Sequence, residues 1–212
     1  MKKILLVGGG GHCNSVIDTL MSANYDFGEI AIIDTRENYG KCVQGVRVIG
    51  TDDDLPDLFR QGYKYAFVTV GSVGNPQLRI QLYNMLISIG FEIPIIADKS
   101  SIVSRTADIA SGVFIGKGVI INAGTAIGAC SIINTGAVIE HDCNIGAFVH
   151  AAPGCTICGS VQVGNNTHIG ANATVIQGVH IGNDVVIGAG SVVIRDVKDE
   201  CTVVGNPGRV IR

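Results

Sequence analysis

From Val103 onward one pattern repeats every six residues. The units run VSRTAD, IASGVF, IGKGVI, INAGTA and onward to IGAGSV and VIRDVK, sixteen in one register. Fifteen of them begin with Ile or Val, and only Ala151 departs. The fifth position is always Val, Ala, Ser, Thr or Cys, and seven second positions are Gly. Hexapeptide periodicity of this length predicts a β-helix in which each unit supplies one short strand and one corner. The first position points into a narrow interior, and the small or β-branched fifth position fills beside it. Glycine eases the corners, where backbone angles are demanding. Three units close one triangular coil, so residues 18 apart stack at the strand spacing of roughly 4.8 Å.

The first 98 residues follow another rule. "KKILLVG" has the form of a buried strand and runs straight into a glycine turn. "HCNSVIDTLMSA" has helical spacing, with Val16, Ile17, Leu20 and Met21 on one face. "EIAIID" and "VRVIG" are two further strands, and "DDDLPDLFRQG" is a short helix with acids at its start. "YAFVTVG" is another strand, "NPQLRIQLYNMLISIG" a helix ending at Gly90, and "EIPIIA" a last strand. Alternation of this kind predicts a small parallel, Rossmann-like α/β sheet. The expected organisation is an α/β domain over residues 1–98, a parallel β-helix over 99–203 and a tail over 204–212.

Composition agrees with thin repeated layers. Hydrophobic residues make up 47%, aromatics only 5%, and there are 29 glycines. A net charge of −3 gives no basic footprint for nucleic acid. The longest apolar runs are too short to span a bilayer. "MKKILLVGGGGH" lacks a signal peptide's longer apolar region, so it is taken as the first strand. Seven irregularly spaced Cys fit reduced thiols in a cytoplasmic protein. Cys155 and Cys158 form a CxxC with no second pair to complete a zinc site, and both fall on scaffold positions of the register.

One triplet stands out on this bland scaffold: Glu140, His141 and Asp142. In the register His141 is a third position and His150 a sixth, so both point out of the prism. They are either exposed imidazoles on a solvated face or working groups. Asp142 can hold one ring nitrogen of His141 and leave the other as an acceptor, as a general base needs. Glu140 takes a corner position where Gly is common. In the first half, "LLVGGGGHC" offers Gly8 and Gly10 but Cys13 where a dinucleotide fingerprint has its third Gly, so a plain strand-to-helix turn and a phosphate seat both remain open. Asp34 ends the second strand, where an acid can bind a ribose or base edge.

Taken together, the "GGGGH" turn, "VIEHDCNIG" and the closing "VGNPGRVIR" resemble a known family across the whole chain. They are similar to the hexapeptide-repeat nucleotide-sugar N-acetyltransferases of bacterial glycan synthesis, which act on UDP-linked bacillosamine precursors and GDP-perosamine. They are equally similar to the sialic acid O-acetyltransferases grouped with these. The resemblance implies a left-handed coil, acetyl-CoA as co-substrate without a metal, a homotrimer, and a nucleotide-linked 4-amino-4,6-dideoxy sugar as acceptor. It implies His141 as general base, Asp142 as its orienting acid and the Gly159 amide as oxyanion donor. It places His150 beside the thioester, Gly170, Ala171, Gly188 and Ala189 along the pantetheine groove, and Gly10, Gly11, His12, Asp34 and Gly71 at the nucleotide sugar. "VGSVGN" carries three residues more than the family pattern, and "IADKSS" stands where the family has a His-Pro segment. Both departures bear on base and sugar specificity.

Two alternatives stay open. The same base would deprotonate a sialic acid hydroxyl. A metal enzyme like the β-helical carbonic anhydrases is the other. His150 and His168 stack on adjacent coils, with Ile132 and Val186 at the equivalent positions, and a neighbouring subunit's His141 would be the third ligand.

Overall fold

The computed structural model describes residues 1–23 and 25–212. The chain forms two compact units: Met1–Gly71 with Pro76–Ile96, and Ser72–Asn75 with Ala97–Arg212. The division therefore falls two residues before the expected boundary, and four residues from within the first half belong to the second unit.

The first unit contains β1 (Lys2–Val7), α1 (Gly11–Ser22), β2 (Phe27–Ile33), β3 (Cys42–Val43), β4 (Val46–Gly50), α2 (Leu55–Arg60), β5 (Tyr65–Val68) and α3 (Gln77–Ile89). The sheet order is β3-β4-β2-β1-β5, parallel except for the β3–β4 pair. Central β1 is an unbroken apolar run because both its faces are covered: Ile4, Leu5 and Leu6 have no exposed surface. The β3–β4 hairpin escapes the hydrophobic pattern because β3 is two residues long; its turn, Gln44 and Gly45, has positive φ at both positions. α1 buries Val16, Ile17 and Leu20 as its spacing predicts, whereas Met21 in its last turn is exposed. α3 stops at Gly90, whose left-handed φ of 104° lets its N–H close on Leu86 and Ile87. The expected last strand is split. Glu92 bridges Tyr65 at the edge of the sheet, Pro94 has no N–H to continue the ladder, and the next strand is the two-residue Ile96–Ala97, at the boundary between the two units.

In the second unit, two-residue strands pair in parallel every 18 residues, as in Val103, Ile121 and Ile139 on one face. The three faces form three parallel sheets. First positions from Ile115 to Val193 are at most 4% exposed, Ala151 included, so the predicted register describes the interior. Buried fifth-position hydroxyls staple the corners: Thr125 donates to Glu140 O (2.7 Å) and accepts from Cys143 N–H (3.1 Å). Ser131 and Thr167 repeat the device.

Corner glycines fall into two classes that the repeat alone merges. The left-handed residue is the fourth position, and Asp142 and Phe148 adopt it as well as glycines do. Second-position glycines answer to crowding instead: a Cβ on Gly128 would sit 2.5 Å from Ala147 N on the next coil. The register also ends early. Ile181 pairs with Val197 and Ile187 with Val203, so the last coil is two residues short and Val197, expected at a fifth position, pairs as a first. The expected separate tail is part of this unit, with Arg209–Val210 antiparallel to Thr202–Val204.

Candidate active site

His141 and Asp142 share one corner of the β-helix. Asp142 is at the left-handed position, φ 58°, and its N–H donates to Ala123 O on the previous coil. The Thr125 staple closes the same turn from inside. On this frame His141 Nδ1 lies 2.9 Å from Asp142 Oδ2. A carboxylate only accepts, so Nδ1 carries the proton and the neutral ring keeps its lone pair on Nε2. That is the tautomer a general base requires. Glu140 meets the backbone, not the ring: its Oε2 accepts from His141 N–H at 3.3 Å. Nor is Glu140 an exception among its neighbours. The second positions along that edge, Ser104, Asn122, Glu140, Cys158, Ile176 and Ile194, include no glycine.

Two glycines on adjacent coils make room for the dyad. A Cβ on Gly159 would stand 2.7 Å from both Cε1 and Nε2 of His141, and one on Gly124 would stand 2.6 Å from Asp142 Oδ1. The His141 and Asp142 side chains are 53% and 67% exposed.

His150 points out of the prism, as its register position requires, yet it is only 8% exposed. Segment Ser72–Asn75 covers it: His150 Nδ1 donates to Ser72 O at 2.5 Å. On the other side its Nε2 lies 3.2 Å from Asn134 Nδ2. Asn134 Oδ1 accepts from Thr135 N–H, which fixes the amide so that Nδ2 is the donor to the ring. Both ring nitrogens are thus spent inside the protein. The His168 ring meets His150 edge-on, centroids 5.0 Å apart. Burial lowers the His168 pKa, and its Nδ1 is enclosed without a hydrogen-bond partner among the described residues. The two histidines do stack, but His150 has no lone pair left for a metal, which removes the basis of the carbonic-anhydrase alternative.

The first unit carries a separate cleft of about 990 Å³ at the C-terminal ends of its strands, lined by Gly8, Asp34, Arg36, Tyr39, Val70 and the Thr51–Asp54 turn, among others. This is where an open α/β sheet binds ligands. Asp34 does more than line it: Oδ2 accepts from Gly9 N–H (2.7 Å) and Oδ1 from Thr35 N–H (2.6 Å). It ties the end of β2 to the glycine turn. Asp54 is committed to a capping box with Thr51. Partial burial raises the pKa of Asp52, with further contributions from Asp53 and Asp34. Gly10, Gly11, His12 and Gly71 lie outside the cleft lining; Gly10 caps α1 and Gly71 packs beside His12.

Comparison with known proteins identifies the family. The PglD N-terminal domain family matches residues 3–86, and the bacterial transferase hexapeptide family (six repeats) matches residues 160–195. The chain is 37% identical to perosamine N-acetyltransferase from Caulobacter crescentus, solved as a histidine variant in complex with CoA and GDP-perosamine. That match covers 100% of this chain and 98% of the other, with a TM-score of 0.93. The acetyltransferase domain of PglB from Neisseria gonorrhoeae, solved with acetyl coenzyme A, is 32% identical over 99% of both chains, with a TM-score of 0.92. The chain belongs to the hexapeptide-repeat nucleotide-sugar acetyltransferases. WeeI from Acinetobacter baumannii, 22% identical, shares the fold.

Within this acetyltransferase the expected site residues divide. His141, Asp142 and Gly159 meet at one corner, while His150 is engaged elsewhere. Gly170 is glycine for a reason internal to the prism, since a Cβ there would lie 2.5 Å from Ala189 N on the next coil. All seven cysteines are free; Cys143 and Cys155 are buried, which raises both thiol pKa values, that of Cys155 to about 12. Sequence reasoning missed Gly124, Thr125 and the Thr51–Asp54 rim. The first two lie 18 residues before Asp142 and Cys143, a spacing that could have found them.

Proposed function

We propose that this enzyme transfers an acetyl group from acetyl-CoA to the amino group of a nucleotide-linked 4-amino-4,6-dideoxy sugar. The observation that carries the reading is the His141–Asp142 dyad in its base-ready tautomer, on a chain whose relatives are acetyltransferases. The sugar amine attacks the thioester carbon, His141 Nε2 takes the amine proton, and Asp142 holds the imidazolium that forms. Charge on the carbonyl oxygen is met by the Gly159 N–H, and collapse expels the CoA thiolate. A general base of this kind contributes about 10²–10⁴-fold in rate. The nucleotide lies in the cleft at Asp34, with its phosphates toward the start of α1, where Gly10, Gly11 and His12 offer a helix N-terminus. Pantetheine runs along the corner of Gly170, Ala171, Gly188 and Ala189.

The half-exposed dyad needs walls that exclude water, so the reading includes a homotrimer with each site between neighbouring β-helices, working in the cytoplasm where acetyl-CoA is made. The deciding experiment offers purified enzyme acetyl-CoA with GDP- and UDP-linked 4-amino sugars and, separately, sialic acid, and identifies products by mass spectrometry. An N-acetylated nucleotide sugar supports the reading. Acetylation of a sialic acid hydroxyl alone would replace it. Sedimentation tests the trimer, which a stable monomer active at high dilution would exclude.

A further inference from the structure

Arg79, in the first turn of α3, is the largest fully buried side chain among the described residues. Burying a guanidinium is costly unless hydrogen bonds compensate, so its partners show what it is there for. Its Nη1 donates to Val68 O at 2.8 Å and to Val70 O at 2.7 Å. Those carbonyls need a donor because β5 is an edge strand. On its outer edge Glu92 N–H donates to Lys64 O (2.9 Å) and Ala66 N–H donates to Glu92 O (3.1 Å). Pro94, two residues on, brings no N–H to extend that pairing. Alternate residues of a strand turn their carbonyls to the same edge, so Val68 and Val70 follow Lys64 and Ala66 beyond the point where the pairing stops. Arg79 supplies the donors that a further strand would otherwise bring.

The end of β5 held in this way is part of the cleft. Buried Thr69 donates its N–H to Val7 O (2.9 Å) and its hydroxyl to Gly8 O (2.5 Å). Val70 packs so closely on the glycine turn that a Cβ on Gly8 would lie 2.5 Å from Val70 Cγ2. Val7, Gly8 and Val70 all line the cleft, and so do Leu78 and Leu82, on either side of Arg79 in α3. We infer that Arg79 is a positioning residue for the nucleotide sugar: it clamps the end of β5 to the start of α3 and so fixes the Gly8–Val70 wall of the cleft. The planar guanidinium suits the task, because one nitrogen carries two N–H groups at a fixed angle, whereas an ammonium turns freely. What the wall receives rests on the nucleotide-sugar reading above; the clamp itself does not.

Three variants separate the clamp from the wall. Arg79→Met keeps an unbranched side chain and removes every donor. Arg79→Lys keeps the charge and loses the planar fork. Val70→Ala trims the wall and leaves the clamped carbonyl in place. Hydrogen exchange of the Thr69 amide, measured without ligand, reads the clamp, because that amide is bonded to Val7 O between the two clamped carbonyls. With Val68 O and Val70 O left without this donor, exchange should speed up by about tenfold or more in Arg79→Met. Steady-state kinetics read the wall. Arg79→Met and Val70→Ala should raise the nucleotide-sugar KM by about tenfold, with kcat and the acetyl-CoA KM within about threefold. Arg79→Lys should show the same pattern at a smaller size, about threefold to fivefold in the nucleotide-sugar KM. It carries the test alone if Arg79→Met fails to fold, and wild-type exchange together with a wild-type KM in Arg79→Lys would then overturn the clamp. Unchanged Thr69 exchange in a folded Arg79→Met would overturn it too. Faster exchange with an unchanged nucleotide-sugar KM would overturn the link to the cleft. Equal losses for both substrates would make Arg79 a support of the fold at large and reject positioning. If the wild-type enzyme acetylates no nucleotide sugar, the functional reading fails while exchange still decides the clamp.

Discussion

Gly159→Ala isolates the geometry of the proposed base. Gly159 is not in the left-handed region, so alanine meets no backbone penalty there. Its methyl would arise 2.7 Å from His141 Cε1 and Nε2, whereas ordinary contact begins at 3.4 Å. The ring must retreat by the difference, about 0.7 Å, or swing away from Asp142. The ring is the far end of a half-exposed side chain, so the fold should absorb this with little change in melting temperature. Catalysis should not. Misplacing a reacting group by an ångström costs on the order of 10²-fold, so a fall in kcat of roughly 10- to 100-fold is expected. The alanine keeps the backbone N–H proposed for the oxyanion, so the loss reports on the ring alone. Steady-state kcat of Gly159→Ala, His141→Ala and the double variant is the assay. If Gly159 acts through His141, the double variant should match His141→Ala, because the second change has nothing left to displace. Wild-type kcat in Gly159→Ala would refute a working role for the Nε2 face of His141. Additive losses would mean that the methyl blocks substrate directly.

Other expectations follow from the same geometry. His141→Ala should lower kcat by about 10²–10⁴-fold and remove the acidic limb of the pH–rate profile, with Asp142→Asn costing less. Unchanged kcat at neutral pH in His141→Ala would end the general-base assignment. Asp34→Ala should weaken nucleotide-sugar binding in calorimetry while sparing acetyl-CoA. Asp34→Asn, whose one oxygen can still accept from Gly9 N–H, should lose less, and equal losses for both ligands would remove Asp34 from the nucleotide site. His168 has a folded pKa below its ordinary 6.5, because burial disfavours the imidazolium. The unfolded chain therefore binds the proton first, and stability should fall as pH drops below about 6.5. Denaturant midpoints against pH test this, and His168→Gln should flatten that slope. Asp199, held low by the Asn183 backbone N–H and then by its side chain, acts in a more acidic window. Its contribution is present above about 3.8 and is lost as pH falls through the lowered folded value, a dependence that Asp199→Asn should remove.

The periodic parts of the fold were legible because periodicity is imposed by burial. First and fifth positions face a dry interior, so nearly every unit repeats the same choice, and even Ala151 occupies its predicted place at 0% exposure. What escaped were features with no period. β3 is too short to show alternation. Pro94 cuts a run whose composition still looks like a strand. The register break before Val197 leaves the apolar pattern intact while changing which residue meets Ile181.

The site shows the same division. The tautomer of His141 followed from adjacency, because Asp142 is its neighbour in the chain and the corner holds both. The state of His150 could not follow from any local pattern. Pointing out of a prism implies exposure only when nothing lies outside, and the covering residue, Ser72, is 78 positions away in sequence. The glycines around the dyad lie between these cases. Gly159 is 18 residues after His141 and Gly124 is 18 before Asp142, so each meets its partner across one coil. Read along the chain, they are two more glycines in a glycine-rich repeat. Read down the columns of the coil, they are the two places where a methyl group would collide with the proposed base and its acid. A β-helix site is therefore written along columns, and a residue without a side chain belongs to it when its neighbour one coil away needs the space.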